Sequence, residues 1–140
     1  MRKTPSRVAL YLEPKQIAST VSVNISRAER EALEEVNARV TAGESLSSIL
    51  GFVFDTTRDV FPCDRISVAF LEDGGHRVVS YCTKSIYQPT QLGDGYAEDL
   101  RRSSLAAVLK TGRIRIIDDL RAYQRRKPSS VSTELLLHEG

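Results

Sequence analysis

Residues able to carry chemistry are sparse in this chain and stand apart. His76 and His138 are its two histidines and Cys63 and Cys82 its two cysteines. Nucleophilic catalysis needs a serine or cysteine within reach of a base that is itself oriented. His76 sits beside a turn dipeptide and His138 in the tail, so no Ser/His/Asp or Cys/His set assembles. Metal binding needs clustered cysteine and histidine ligands, and here the cysteines stand alone. Cys63 and Cys82 lie at the far ends of a hairpin pattern, where a disulfide is conceivable, but with no secretory segment ahead of them reduced thiols are the expected state. The remaining concentration of chemistry is charge: Arg121, Arg125, Arg126 and Lys127, with Arg113 and Arg115 upstream. Such a cluster can meet phosphates or an acidic partner, and more often it is a solvated face. The chain is therefore expected to be neither an enzyme nor a metalloprotein.

The elements that must position these residues centre on one hairpin. Ile66, Val68 and Phe70 alternate with Arg65, Ser67 and Ala69, the period of a strand with one drier face. Asp73-Gly74 supplies the turn, and the Val- and Tyr-rich run 76–82 the return strand. A lone hairpin is marginal in water, so a helix must cover it. Leu46, Ile49, Leu50, Val53, Thr57 and Val60 recur at steps of three and four, which predicts a covering helix from about Ser45 to Val60. Ahead of it, Ser26-x-x-Glu29 is a capping box opening a helix with the stripe Ala28, Leu33, Val36, Val40, ended at Thr41-Ala42-Gly43. That first helix is the expected contact with another chain.

After Cys82 the periodicity fades, and residues 83–94 read as a long loop. Ser103-Ser104 suits the start of a short helix ending at Gly112. Arg113-Ile114-Arg115-Ile116-Ile117 reads as a third strand, Asp118-Asp119 as the cap of a helix over 120–126, and Ser132-Thr133 as the start of a last turn over 134–138. Residues 1–24, with Pro5 and Pro14, read as an extended or loosely ordered leader. The order of elements is an α+β layout.

Composition excludes several classes. A net charge of +2 over 140 residues gives no bulk case for nucleic acid. No apolar run approaches the roughly 18 residues that span a bilayer. Without a secretory signal, the expected compartment is cytoplasmic.

Three words of the sequence, in order, resemble a GAF domain, the small-molecule-sensing module of signalling proteins. They are Phe61-Pro62-Cys63-Asp64-Arg65-Ile66-Ser67-Val68-Ala69-Phe70-Leu71, Ser103-Ser104-Leu105-Ala106-Ala107-Val108-Leu109-Lys110-Thr111-Gly112, and Arg115-Ile116-Ile117-Asp118-Asp119-Leu120-Arg121-Ala122-Tyr123. The resemblance runs from Leu33 to Gly140. It implies a leader over 1–25 and, over 26–140, an antiparallel sheet with flanking helices, truncated before the family's last strands. Such a sheet has an unpaired edge, so a homodimer or swapped assembly is expected. The resemblance further implies a bacterial signalling chain, as in two-component systems, with a downstream output domain such as a histidine kinase.

By the same resemblance, the ligand would lie between the sheet and the loops and short helices over one face. That position would gather Tyr81, Cys82, Gly95, Tyr96, Ser104, Ile117, Asp118 and Asp119. Helix starts at Ser104 and Asp119 would offer amides to polar groups, and the tyrosines apolar contact. Taken singly, Asp118 and Asp119 are more simply helix caps, and Tyr81 and Tyr96 packing residues. The Asn-Lys-Phe-Asp-Glu set of cyclic-nucleotide-binding members is missing, and Cys82 lacks the surroundings of a bilin-linked cysteine. The ligand is left unidentified. The rival expectations are a dimerisation module without a ligand and, less favoured, a thiol-dependent methionine sulfoxide reductase.

Overall fold

The structure is a computed structural model that describes residues 8–16, 26–58 and 62–139. Val60 of the anticipated covering helix, most of the leader and Gly140 lie outside the described residues. The architecture is mixed α+β, as the sequence predicts, built on two antiparallel sheets. In chain order the elements are β1 (Ala9–Leu12), α1 (Arg27–Thr41), α2 (Leu46–Thr57), β2 (Arg65–Glu72), β3 (Arg77–Ser85), β4 (Ala97–Asp99), α3 (Ala106–Thr111), β5 (Ile114–Ile117), α4 (Leu120–Arg126) and α5 (Val131–Glu139). Among the described residues, no helix is long and apolar enough to cross a membrane.

The hairpin forms as its alternation demands. β2 and β3 pair antiparallel across a 3-10 turn, Asp73–Gly75, in which Asp73, Gly74 and Gly75 all take positive φ. Two glycines make that path cheap. α2 packs on both strands, so the covering helix is where the heptad-like stripe requires it. It buries Leu50 and Phe54, while β3 buries Val78, Ser80 and Cys82.

The single apolar row on β2 is corrected by a bulge. The register shifts between Val68, opposite Cys82, and Ala69, opposite Ser80, leaving Tyr81 unpaired. An extra residue in one strand changes which side chains of its partner face the core. Phe70 consequently stands opposite Val79, half exposed, and meets Tyr81 edge-to-face at 5.3 Å.

Two further expectations are revised. The leader contains an ordered strand, for β1 pairs with β5 from Ala9↔Ile117 to Leu12↔Ile114. The third strand therefore completes a separate two-stranded sheet and does not extend the hairpin. The anticipated long loop is displaced along the chain to residues 86–96: β3 runs to Ser85, and the chain returns as β4 against Arg77, Val78 and Val79.

The capping chemistry follows the sequence closely. Ser26 Oγ accepts from the Glu29 amide, and Glu29 Oε2 accepts from the Ser26 amide at 2.6 Å. The Ser26 side chain first, and its amide second, hold the Glu29 carboxyl below its ordinary range. Asp119 Oδ1 accepts from Ala122 N at 2.8 Å, and Gly112, at φ 65°, closes α3.

Candidate functional site

The residues gathered by the family resemblance are dispersed over several surfaces. Tyr81 and Cys82, neighbours on one strand, take opposite faces: Tyr81 is exposed beside Phe70, and Cys82 is buried. Both Cys82 and Cys63 are free thiols. Gly95 donates its amide to the Ser80 carbonyl at 2.7 Å, and the Tyr96 carbonyl accepts from the Ser80 amide at 2.8 Å, so these two extend the β3–β4 edge. Ile117 and Asp118 belong to the other sheet, where the Asp118 amide reaches the Val8 carbonyl at 3.3 Å. Asp119 is the α4 cap. Of the set, Ser104 alone lines the cleft described next.

That cleft is about 300 Å³ and opens between β1, the segment before α3, and the α4–α5 connection. Its floor is a hydroxyl network. Ser103 Oγ accepts from Leu105 N at 3.1 Å, which starts α3 and turns Ser104 inward. Ser130 Oγ donates to Ser104 Oγ at 3.3 Å and also meets Thr133 Oγ1 at 2.8 Å, which anchors the start of α5. Arg115 fastens the floor to β5: its Nη1 donates to the Ser104 carbonyl at 2.9 Å, to Ser104 Oγ at 3.0 Å and to the Tyr123 hydroxyl at 3.3 Å. Alternation along Ile114-Arg115-Ile116 turns Arg115 to this side, and Tyr11, its cross-strand partner on β1, lines the same opening.

The electrostatics of the cleft are one-sided. Arg101, Arg102 and Lys127 line it, and no carboxylate does. Arg101 is committed to Asp99, and its hydrogen bonds hold that carboxyl at about 2. Arg102 and Lys127 make no ion pair among the described residues, and half-buried Arg115 is held by neutral oxygens only. The basic run of the sequence thus divides: Arg121, Arg125 and Arg126 are solvated, Lys127 lines the cleft from its exposed rim, and Arg115 braces Ser104 from behind it. Tyr11 was hidden from sequence reasoning inside the leader, and Ser130 inside a short polar loop. The one available signal was Arg115, a charge set between β-branched residues on a strand.

Two polar centres lie outside the cleft. Glu139, at the end of α5, is almost wholly buried and accepts from Arg65 Nη1 at 2.9 Å, the Tyr87 hydroxyl at 2.9 Å, the Leu92 amide at 2.9 Å and the Gln91 amide. Burial works to raise its carboxyl, but these donors outweigh that and hold it below the ordinary range. Burial, with Glu139 beside it, pushes the Tyr87 hydroxyl up. The second centre is Glu98, buried on β4, whose Oε2 accepts from the Tyr96 hydroxyl at 3.2 Å while its Oε1 has no partner among the described residues. Burial first, and the Glu98 charge second, push the Tyr96 hydroxyl up to about 12. The Glu139 centre ties a loop and a strand to α5, whereas Glu98 also borders a second concavity of about 290 Å³ with Asp73, His76, Arg77 and Asp99. Among the described residues no group of three or more His, Cys, Asp or Glu is placed to hold a metal ion.

Set against protein-family models, curated proteins and solved structures, the chain matches none of them.

Proposed function

We propose that the chain is a small-molecule-binding regulatory domain of the GAF type, which signals by ligand binding or dimerisation without catalysing a reaction. The cleft around Ser104 carries this reading. It is concave, within the size range of small-ligand sites, and combines apolar walls with a few convergent polar groups. Its floor is built from residues of β5, α4 and the α4–α5 connection, so a ligand there would bias how α4 and α5 sit against β5. Catalysis finds no support in the cleft's side chains, which offer hydroxyls and cations but no general base beside a nucleophile.

The test is thermal unfolding with a panel of neutral, cationic and anionic metabolites, using the wild-type chain and Ala107→Trp, which fills the cleft from α3. A ligand present at about 100 times its Kd stabilises by about 2.7 kcal/mol, a rise of several degrees. At least one compound should give that rise in the wild type and lose it in the variant. If no compound raises the midpoint, or each does so equally in both proteins, the cleft is not a ligand site.

Pairing with a second copy through α1 is the second reading, favoured by one observation. α1 buries no residue, and Leu33 and Val40 are 54% and 57% exposed on its apolar stripe. Sedimentation should show a dimer that Leu33→Glu dissociates. A monomer at all concentrations would remove this reading.

A further inference from the structure

Resting on the reading of the Ser104 cleft as the ligand site, we infer that its ligand is a phosphomonoester carried on a small ring. Three features of the cleft converge on that chemistry. First, positive charge outweighs negative at its opening, where Arg101 and, more weakly, Arg102 act on the Asp99 carboxyl. Arg102 and Lys127 stand at the opening without an ion pair among the described residues, and Arg115 behind them is neutralised by no carboxylate.

Second, the floor offers hydroxyls in addition to cations. Ser104 Oγ accepts from both Arg115 and the fully buried Ser130, which leaves the Ser104 proton for a ligand, and Ser129 stands exposed at the opening. A planar carboxylate presents two oxygens and one charge. A phosphomonoester presents three acceptor oxygens and close to two charges at neutral pH, which matches several cations and hydroxyl donors arranged around one point. Third, the volume of about 300 Å³ exceeds what a bare anion fills, and Tyr11 with Ala107 supplies an apolar wall. The remaining space suits a flat ring laid on the Tyr11 face. Arg101 takes no part, since Asp99 already holds it.

Calorimetric titration of the full chain at low salt tests this with three probes: phenyl phosphate, inorganic phosphate and phenol. Phenyl phosphate should bind one to one and at least tenfold more tightly than inorganic phosphate, and phenol should not bind. Arg102→Ala and Lys127→Ala should each weaken phenyl phosphate tenfold or more, while Arg125→Ala and Arg126→Ala, on the solvated run, leave it unchanged. Affinity should also fall as the pH drops below about 6, where the dianion takes up a proton. Circular dichroism checks that every variant is folded. Equal losses from Arg102→Ala and Arg125→Ala would reduce the effect to general surface charge and overturn the inference. Inorganic phosphate binding as well as phenyl phosphate would overturn the ring. Phenol binding as well as phenyl phosphate, and lost in Ala107→Trp, would overturn the phosphate while leaving the cleft a ligand site. Absence of binding by both phosphates overturns the inference outright.

Discussion

Glu139 is the single residue on which most of the loop-to-helix connection depends. It joins the end of α5 to β2 through Arg65 and to the loop after β3 through Tyr87, Gln91 and Leu92. Removing one member of a buried ion pair leaves the other uncompensated, so Glu139→Ala should cost roughly 3–5 kcal/mol in denaturant unfolding. Its carboxyl is held below the ordinary range in the folded protein. The stability it supplies is therefore fully present above the unfolded value of about 4.3 and is lost as pH falls through the lower folded value. Unfolding midpoints followed from neutral to acid pH should drop more steeply in the wild type than in Glu139→Gln. A second residue-scale test uses Tyr96, whose hydroxyl burial and Glu98 raise to about 12. Ultraviolet titration should show late-ionising tyrosines, Tyr87 and Tyr96, and Glu98→Gln should bring the Tyr96 part of that signal back toward its ordinary value. Tyr96→Phe removes the hydroxyl that donates to buried Glu98 and should cost roughly 1–3 kcal/mol.

Elements differ in how much they owe to their own sequence. α1, the β2–β3 hairpin, the start of α2, the end of α3 and both ends of α4 were legible because their signals are local. By contrast, α2 closes at Thr57, short of the expected Val60, and α3 starts on Leu105 with no side-chain cap. Ser26 and Glu29 reach each other three residues apart, Asp73-Gly74 turns in place, and Gly112 stops α3 with a left-handed φ. Gly112→Ala meets nothing within 4 Å, so its expected cost of about 1 kcal/mol is backbone conformation alone. β1 and β4 were not legible. β4 has three residues, too few for a period to show, and β1 exists only because β5 arrives beside it from the far end of the chain. The bulge at Tyr81 was likewise invisible, since alternation on β2 gives no hint of an extra residue on β3. The same local-versus-tertiary split sets the mutational contrast between helices. Leu50→Ala, in the buried face of α2, should cost roughly 2–5 kcal/mol. Leu33→Ala on α1 should cost less than about 0.5 kcal/mol in the monomer. Equal costs would mean that the Leu33 side chain itself packs against something within the chain.

For the whole molecule, pairing between distant segments decides where the candidate site lies. The resemblance to GAF domains rests on local words, and those words correctly mark a strand, a short helix and a strand-to-helix turn. They carry no information on which sheet the last strand joins. Once β5 pairs with β1, Ile117 and Asp118 move away from Tyr81 and Cys82, and Tyr11 instead comes beside Arg115. Ser104 was legible as a residue just before a short helix because such a serine is locally recognisable. Its partners Arg115, Tyr123 and Ser130 were not, because only the packing of α4 and α5 brings them to it. The proposed function accordingly stands on the cleft and its charge.

Amide hydrogen exchange of the full chain, with and without saturating phenyl phosphate, tests that claim most directly. Binding in the Ser104 cleft predicts slowed exchange at residues 102–107 and 127–131, with residues 78–84 on the hairpin unchanged. Exchange unaltered in those two segments, or slowed on the hairpin in their place, would contradict it.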